Sequence, residues 1–154
     1  MYVKVDIMST GIGYLFADVD EIRAGSSSND LIGCSRMYFS EGIFRVERNG
    51  KYGFFDKTNN EIVPCILEYA EDFHEGLARV RINGKYGFID KTGNEIIPCT
   101  LENAEDFHEG LARVRINGKY GFIDKTGNEI IPCTLENAED FHEGLARVRI
   151  NGKY

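Results

Sequence analysis

Residues 76–109 read GLARVRINGKYGFIDKTGNEIIPCTLENAEDFHE, and residues 110–143 repeat these 34 letters without a change. Residues 144–154 repeat the first 11 letters, and residues 42–75 match the same template at 25 of 34 positions. Repetition at a fixed period is the signature of architectures in which each unit packs on its neighbours. The sequence therefore consists of residues 1–41, which differ from the repeat, followed by three full repeats and a partial fourth.

The first half of the repeat predicts a β-hairpin. In the third repeat, residues 111–116 (LARVRI) alternate apolar side chains with arginines, which indicates a strand with one solvated face. Asn117-Gly118 tolerates positive φ at both positions, as a two-residue type I′ turn requires. Residues 119–124 then form the return strand, and Gly121 leaves room there for a close approach of backbone or ring.

The second half of the repeat predicts one more strand and a loop. Gly127 is the expected left-handed residue of the next turn. The third strand begins at residues 129–131, and Pro132 ends it or places it at a sheet edge. Residues 135–143 are acidic and irregular, with at most one helical turn, and Phe141 anchors them to the core. A three-stranded unit of this kind buries its apolar residues only against neighbouring units.

The predicted fold is all-β, with tandem three-stranded antiparallel units stacked as an open, solenoid-like array. A propeller-like arrangement is the alternative, although a 34-residue unit is short beside the roughly 40–50 residues of propeller blades. Residues 1–41 are interpreted as a degenerate N-terminal capping unit, because a first repeat must close its open face. Since residues 144–154 stop two residues into the return strand, we expect a truncated product.

Composition narrows the class of partner and the compartment. The 154 residues include 18 Lys and Arg against 25 Asp and Glu, and the net charge of −7 argues against nucleic-acid binding. No apolar stretch is long enough for a membrane helix, and the N-terminus lacks the apolar core of a secretory signal. We therefore expect a cytoplasmic protein, with association with the cell envelope as the alternative if the chain continues.

The ordered elements KYGFID, GNEIIPC and AEDFHEGLARV resemble the WG (also called KWG) β repeat of bacterial proteins over residues 42–154. The signature tryptophan of that family is tyrosine here, which keeps a flat ring with a polar tip. The resemblance implies a β-rich repeat fold and an interaction role, and it implies no reaction. The signature positions are Tyr52, Gly53, Phe54, Tyr86, Gly87, Phe88, Tyr120, Gly121 and Phe122, with Phe73, Phe107 and Phe141 as the loop anchors.

No arrangement of residues predicts catalysis, a metal site or a cofactor. Each repeat offers a Cys-x8-His spacing, whereas zinc ligands usually come as close pairs. The repeated cysteines are interpreted as small buried apolar residues, the histidines as exposed loop residues, and the carboxylates around each histidine as a solvated acidic loop. The cysteines are Cys65, Cys99 and Cys133, and the histidines are His74, His108 and His142.

The arginines of each first strand are the candidate binding residues. Two interpretations stay open: the arginines pair with the acidic loop on a solvated face, or they form a periodic charged surface in which each repeat adds a weak contact to a partner protein. We therefore predict a non-catalytic scaffold for protein–protein interaction. The alternative is an accessory glycan- or peptide-binding module of a larger envelope protein, with Tyr and Phe stacked on sugar rings. The candidate residues are Arg79, Arg81, Arg113, Arg115, Arg147 and Arg149.

Overall fold

The computed structural model of the protein describes residues 2–6, 14–18 and 36–154, which form strands and turns without a helix. The chain divides into two compact units, and the boundary after residue 72 falls inside one strand. Most of the predicted cap, with Cys34, lies outside the described residues. The N-terminal unit contains β1 (Tyr2–Asp6), β2 (Tyr14–Asp18), β3 (Arg36–Ser40), β4 (Ile43–Arg48), β5 (Lys51–Phe55) and β6 (Glu61–Leu67).

The C-terminal unit contains the remaining strands. Strand β7 (Tyr69–His74) crosses the boundary between the units. The second repeat forms β8 (Leu77–Ile82), β9 (Lys85–Asp90), β10 (Glu95–Leu101) and β11 (Asn103–Ala104). The third repeat and its continuation form β12 (Leu111–Ile116), β13 (Lys119–Asp124), β14 (Glu129–Leu135), β15 (Asn137–Ala138) and β16 (Val148–Arg149).

The sheets join strands from consecutive segments of the chain. The orders are β3-β4-β5-β6, β7-β8-β9-β10 and β11-β12-β13-β14, with two-stranded sheets β1-β2 and β15-β16. Each four-stranded sheet takes three strands from one repeat, as predicted, and its first strand from the segment before it. All the pairs are antiparallel, and none of the sheets in the described part closes into a barrel.

The segment predicted to be an irregular loop supplies this first strand, so the loop prediction is wrong in part. Residues 137–138 form β15, and the equivalent β11 pairs with β12. The backbone N–H of Glu102 donates to the carbonyl of Arg115 at 3.0 Å, and that of Glu105 donates to Arg113 at 2.9 Å. The two acceptor carbonyls belong to the next repeat. They satisfy the N–H groups of Glu102 and Glu105, which a single helical turn would leave exposed.

The predicted turns are confirmed by the backbone angles. Asn117 and Gly118 have φ of 51° and 74°, as a type I′ turn requires, and Gly127 has φ of 87°. The Glu-Gly pair that begins each repeat also has positive φ at both positions, for example 53° at Glu109 and 79° at Gly110. Sequence reasoning did not predict this second hairpin turn, because glutamate is an uncommon left-handed residue.

Gly121 lies under a bulge in the neighbouring strand. Tyr120 pairs with Leu135 and Phe122 with Ile131, so β14 has extra residues between these two pairs. A Cβ on Gly121 would lie 2.5 Å from the carbonyl oxygen of Ile131. The close backbone approach predicted at this glycine is therefore confirmed, and the proline of β14 lies on an edge strand, as expected.

The core of the C-terminal unit lies between its two four-stranded sheets. Phe88 and Leu101 from the first of these sheets contact Val114 and Ile123 from the second in one buried cluster. Phe107 follows β11, and its ring packs edge-on against Phe88 at 4.9 Å between centroids. Each sheet therefore buries one face against the next sheet. Because of this packing, equivalent strand ends of the two sheets lie side by side.

Candidate functional site

The Asn-Gly turns lie on one side of the C-terminal unit, and we call this surface the Asn-Gly row. Glu102 follows β10 and accepts a hydrogen bond from the N–H of Gly118 in the next repeat at 2.9 Å. Glu136 accepts the equivalent bond from Gly152 at 2.9 Å. These bonds bring the turns of neighbouring sheets together. The row consists of residues 81–85, 115–119 and 149–153, with Glu102 and Glu136.

The opposite ends of the strands form a second surface, which we call the Glu-Gly row. Glu75 accepts a hydrogen bond from Gly110 N–H at 3.0 Å and lies 3.0 Å from Lys125 Nζ. Burial alone would raise the pKa of Glu75, but the bonds from Lys125 and Gly110 outweigh it and lower the pKa. Glu109 bonds Gly144 at 2.8 Å. The row consists of residues 74–76, 108–110 and 142–144, with the turns 90–95 and 124–129.

The two rows differ in the sign of their charge. In each repeat the Asn-Gly row places an arginine and a lysine beside one glutamate, whereas the Glu-Gly row places three carboxylates beside one lysine. Opposite ends of the same strands therefore carry opposite local potentials. Around the third repeat, the Asn-Gly row has Arg115, Lys119 and Glu102, and the Glu-Gly row has Glu109, Asp124, Glu129 and Lys125.

The first arginine of β8 and the first arginine of β12 belong to an ion-pair ladder inside the stack. Arg79 has an 11% exposed side chain, donates to the carbonyl of Ala104 and lies 3.1 Å from Glu105. The other oxygen of Glu105 lies 3.4 Å from Arg113, and Arg113 lies 3.2 Å from Asp140. These contacts join consecutive sheets, so a binding role for Arg79 and Arg113 stays a prediction that competes with their structural contacts.

The same contact occurs in the N-terminal unit. Arg45 Nε donates to Asp72 at 2.8 Å, and Arg45 Nη1 donates to the carbonyl of Ala70 at 2.6 Å. Arg45 stands one repeat before Arg79. Within the N-terminal unit, Arg45 therefore makes the same kind of contact, to a backbone carbonyl and a carboxylate about 25 residues further along the chain, as Arg79 makes within the C-terminal unit.

The second arginine of each strand lies at the surface of the Asn-Gly row. The side chain of Arg115 is 44% exposed and that of Arg149 is 46% exposed, and their glutamate partners lie 3.9 and 3.6 Å away. Lys85 and Lys119 are exposed at the end of each turn, and neither has an ion pair among the described residues. Each outer arginine therefore shares its turn with a lysine that sequence reasoning did not select. Arg147 is also exposed, and Arg81 is half-buried.

The signature residues are mainly structural. Tyr86 is half-buried against the core, with the guanidinium carbons of Arg79 and Arg81 at 5.9 and 5.8 Å from its ring centroid, close enough for cation–π attraction. Tyr120 has equivalent contacts. The signature glycines are buried, and the phenylalanines Phe54, Phe73, Phe88, Phe107 and Phe122 are buried, whereas Phe141, Tyr52, Tyr86 and Tyr120 are partly buried.

The repeated cysteines and histidines differ in environment. Cys65, Cys99 and Cys133 are half-buried. Burial, assisted by the negative charge of Glu95, raises the pKa of the Cys99 thiol to about 11, so the thiol is protonated at neutral pH. The repeated histidines are exposed, as expected, and the rings of His74 and His108 lie 6.5 Å apart.

The described residues contain no group of three or more His, Cys, Asp or Glu side chains arranged to hold a metal ion. Within the same residues, no helix has the length and hydropathy required to cross a membrane.

Sequence reasoning missed the glutamates that link neighbouring repeats. It placed residues such as Glu102 and Glu109 in a solvated loop, but each accepts a backbone N–H bond from a turn in the next repeat. A glutamate precedes the glycine that begins each following repeat, but every residue recurs in identical repeats, so the sequence does not distinguish these glutamates from the others.

Comparison with known proteins identifies the repeat. The sequence model described as "WG containing repeat" matches residues 37–52, 52–86, 86–120 and 120–154, with the same 34-residue period. No curated protein and no solved structure matches the chain. The family matches span well over half of the sequence, and they cover the strands, turns and signature residues described above. The chain therefore belongs to the WG-repeat family and is a repeat-containing β module.

Proposed function

We propose that this module is a non-catalytic scaffold that binds another protein through a periodic charged surface, the Asn-Gly row. The observation that supports this proposal is the recurrence of an outer arginine and an exposed lysine at each turn. The inner arginines have partners within the stack, whereas Lys85 and Lys119 have none among the described residues. The row therefore offers charges that the fold itself does not use.

Because the charged turn is repeated, ion pairs that are individually weak can together hold a partner protein. A single exposed ion pair contributes only about 0.2–1 kcal/mol. When several such pairs form on one rigid surface, each contact after the first is intramolecular, and the affinities multiply. A partner that contacts successive turns is therefore retained much longer than one that contacts a single turn.

A non-catalytic role agrees with the chemistry of the repeated side chains. General acid–base catalysis needs two groups with different environments. The equivalent carboxylates Asp90 and Asp124 accept the same turn hydrogen bonds, and the raised pKa of Cys99 disfavours the thiolate that a nucleophile requires. The residues of the repeat are therefore better suited to packing and recognition.

The glycan-binding alternative requires exposed aromatic rings. The rings of Tyr86 and Tyr120 are half-buried against the core, with arginine guanidinium groups nearby. A sugar would have to displace these contacts to stack on the rings. The charged row is therefore the better supported of the two surfaces.

Affinity capture with the full chain tests the proposal. We expect a protein from an extract of the source organism to bind the wild type and to be lost with Lys85→Glu/Lys119→Glu, because the reversed charges repel it. The control is Lys57→Glu, which changes an exposed lysine outside the Asn-Gly turns. If no captured protein depends on Lys85 and Lys119, or if the control loses the same protein, the proposed surface is wrong.

A further inference from the structure

We propose that the Asn-Gly row binds an extended acidic segment of the partner protein, with carboxylates about three residues apart. This inference rests on the proposed scaffold function and names the chemistry of its partner. It follows from the sign of the charges on the row, their spacing between repeats and the position of the glutamates between them.

The sign of the row favours a carboxylate-bearing partner. Each turn in the C-terminal unit has an arginine two positions before its asparagine and a lysine two positions after it. One of the nearby carboxylates, that of Glu102, already accepts the Gly118 N–H at 2.9 Å and lies 3.9 Å from Arg115. The lysine ammonium groups therefore remain available to an acidic ligand, although the protein as a whole carries a charge of −7.

The spacing of the row favours an extended segment. Equivalent turns belong to consecutive sheets that pack face to face, and sheets packed in this way lie about 10 Å apart. A chain in the extended polyproline II conformation advances about 3.1 Å per residue with three residues per turn, so residues three apart lie on one face and are separated by about 9 Å. A partner with an acidic residue at every third position can therefore reach one lysine per repeat.

The glutamates in the row select against a uniformly charged polymer. Glu102 and Glu136 each lie at the turn of the following repeat, where their bonds to Gly118 and Gly152 fix them. A nucleic acid, with a phosphate at every nucleotide, would meet these carboxylates as well as the lysines. A peptide with uncharged residues between its carboxylates avoids that repulsion.

Synthetic peptides test the inference directly. The probe is a labelled peptide of repeated Glu-Ser-Ser triplets, and its isomer has the same composition with the glutamates in one block. We expect the full chain to bind the spaced peptide at low ionic strength about fivefold more tightly than the isomer, and to lose both at high salt. A single-stranded oligonucleotide of equal length should bind more weakly than the spaced peptide.

Charge-reversal variants locate the binding site. Lys85→Glu/Lys119→Glu should weaken binding of the spaced peptide by about 20-fold, while Lys57→Glu should change it by less than about twofold. Circular dichroism checks that the variants keep their strands. Equal affinity for the two peptides, tighter binding of the oligonucleotide, or an equal loss with Lys57→Glu would overturn the inference.

The peptide assay and the capture assay distinguish a failure of the acidic-segment inference from a failure of the scaffold function. A captured protein that depends on Lys85 and Lys119 but is not displaced by the spaced peptide overturns the acidic-segment inference and leaves the scaffold function standing. A spaced peptide that binds the row and displaces the captured protein supports both.

Discussion

The second and third repeats have the same sequence, but their equivalent residues are buried to different extents. The side chain of Arg79 is 11% exposed and that of Arg113 is 20% exposed, whereas the equivalent Arg147, which follows the third repeat, is 61% exposed. Ile97 is buried, but Ile131 is only half-buried. Because the local sequence is identical, the difference comes from what packs on each sheet.

Two kinds of contact can be separated by this comparison. Contacts within a sheet, such as the close approach of β10 to Gly87, recur at Gly121. Contacts between consecutive sheets, such as those of Phe107 and Arg79, depend on the strands that follow. Substitutions of the first kind should therefore have equal effects in both repeats, and substitutions of the second kind should have unequal effects.

The largest expected effect is on the aromatic anchor between the sheets. Phe107 is 1% exposed, so Phe107→Ala should lower the free energy of unfolding by about 4 kcal/mol. Phe141 has the same edge-on contact with Phe122 but is only partly buried, and Phe141→Ala should cost about half as much. Urea denaturation followed by circular dichroism measures both. Equal losses would mean that the sheet after the third repeat packs as completely as the others.

The second effect tests a contact within the repeat. In Gly87→Ala the new Cβ would lie 2.5 Å from the Ile97 carbonyl oxygen, and in Gly121→Ala it would lie 2.5 Å from that of Ile131. Because both obstacles are backbone atoms, we expect each change to cost about 3 kcal/mol. Gly84→Ala is the control: it has positive φ but open space, and should cost about 1–2 kcal/mol. Unequal losses of unfolding free energy in Gly87→Ala and Gly121→Ala would show that this local contact also depends on the neighbouring sheet.

The elements within a repeat could be predicted because short-range chemistry determines them. Asn117-Gly118 selects its hairpin turn by φ alone, and the alternation of residues 111–116 selects the strand and its faces. The crowding at Gly121 followed from the same local argument. These predictions needed no knowledge of the neighbouring repeats, and the strand, the turn and the close approach at Gly121 are confirmed. The predicted solvated face is wrong in part, because Arg113 on that face is only 20% exposed and contacts the segment that begins the next sheet.

The contacts between repeats could not be predicted in the same way. The strand Asn103–Ala104 is too short to be recognised, and it exists because its hydrogen-bond partners lie in the next repeat. The two arginines of each first strand alternate identically in sequence, but one enters the inner ladder and the other remains outside. Residues two apart in a strand lie on the same face, so that distinction depends on position along the strand: Arg113 contacts the segment that begins the next sheet, whereas Arg115 lies beside the Asn-Gly turn.

The third prediction concerns the inner ladder. Arg79→Gln should cost about 2–3 kcal/mol, because it removes the arginine that donates to the Ala104 carbonyl and leaves Glu105 with Arg113 alone. The matched change Arg147→Gln removes an exposed arginine, 3.8 Å from Glu139, and should cost less than about 0.5 kcal/mol. Differential scanning calorimetry of the two variants measures the contrast. A loss at Arg147 as large as that at Arg79 would show that exposure does not determine the strength of the ladder.

The smallest effect is the acid sensitivity of the turn after each second strand. Hydrogen bonds from the Thr126 hydroxyl and from backbone N–H groups lower the pKa of Asp124 below its usual 3.8, and Asp90 has the same bonds. Since the folded pKa is lower than the unfolded one, this stabilisation is present at neutral pH and is lost as the pH falls below about 4. Urea midpoints measured between neutral and acidic pH should therefore fall, and Asp90→Asn and Asp124→Asn should each reduce the slope equally. The bonds are local to the turn, so an unequal response would mean that the neighbouring repeat also influences these carboxylates.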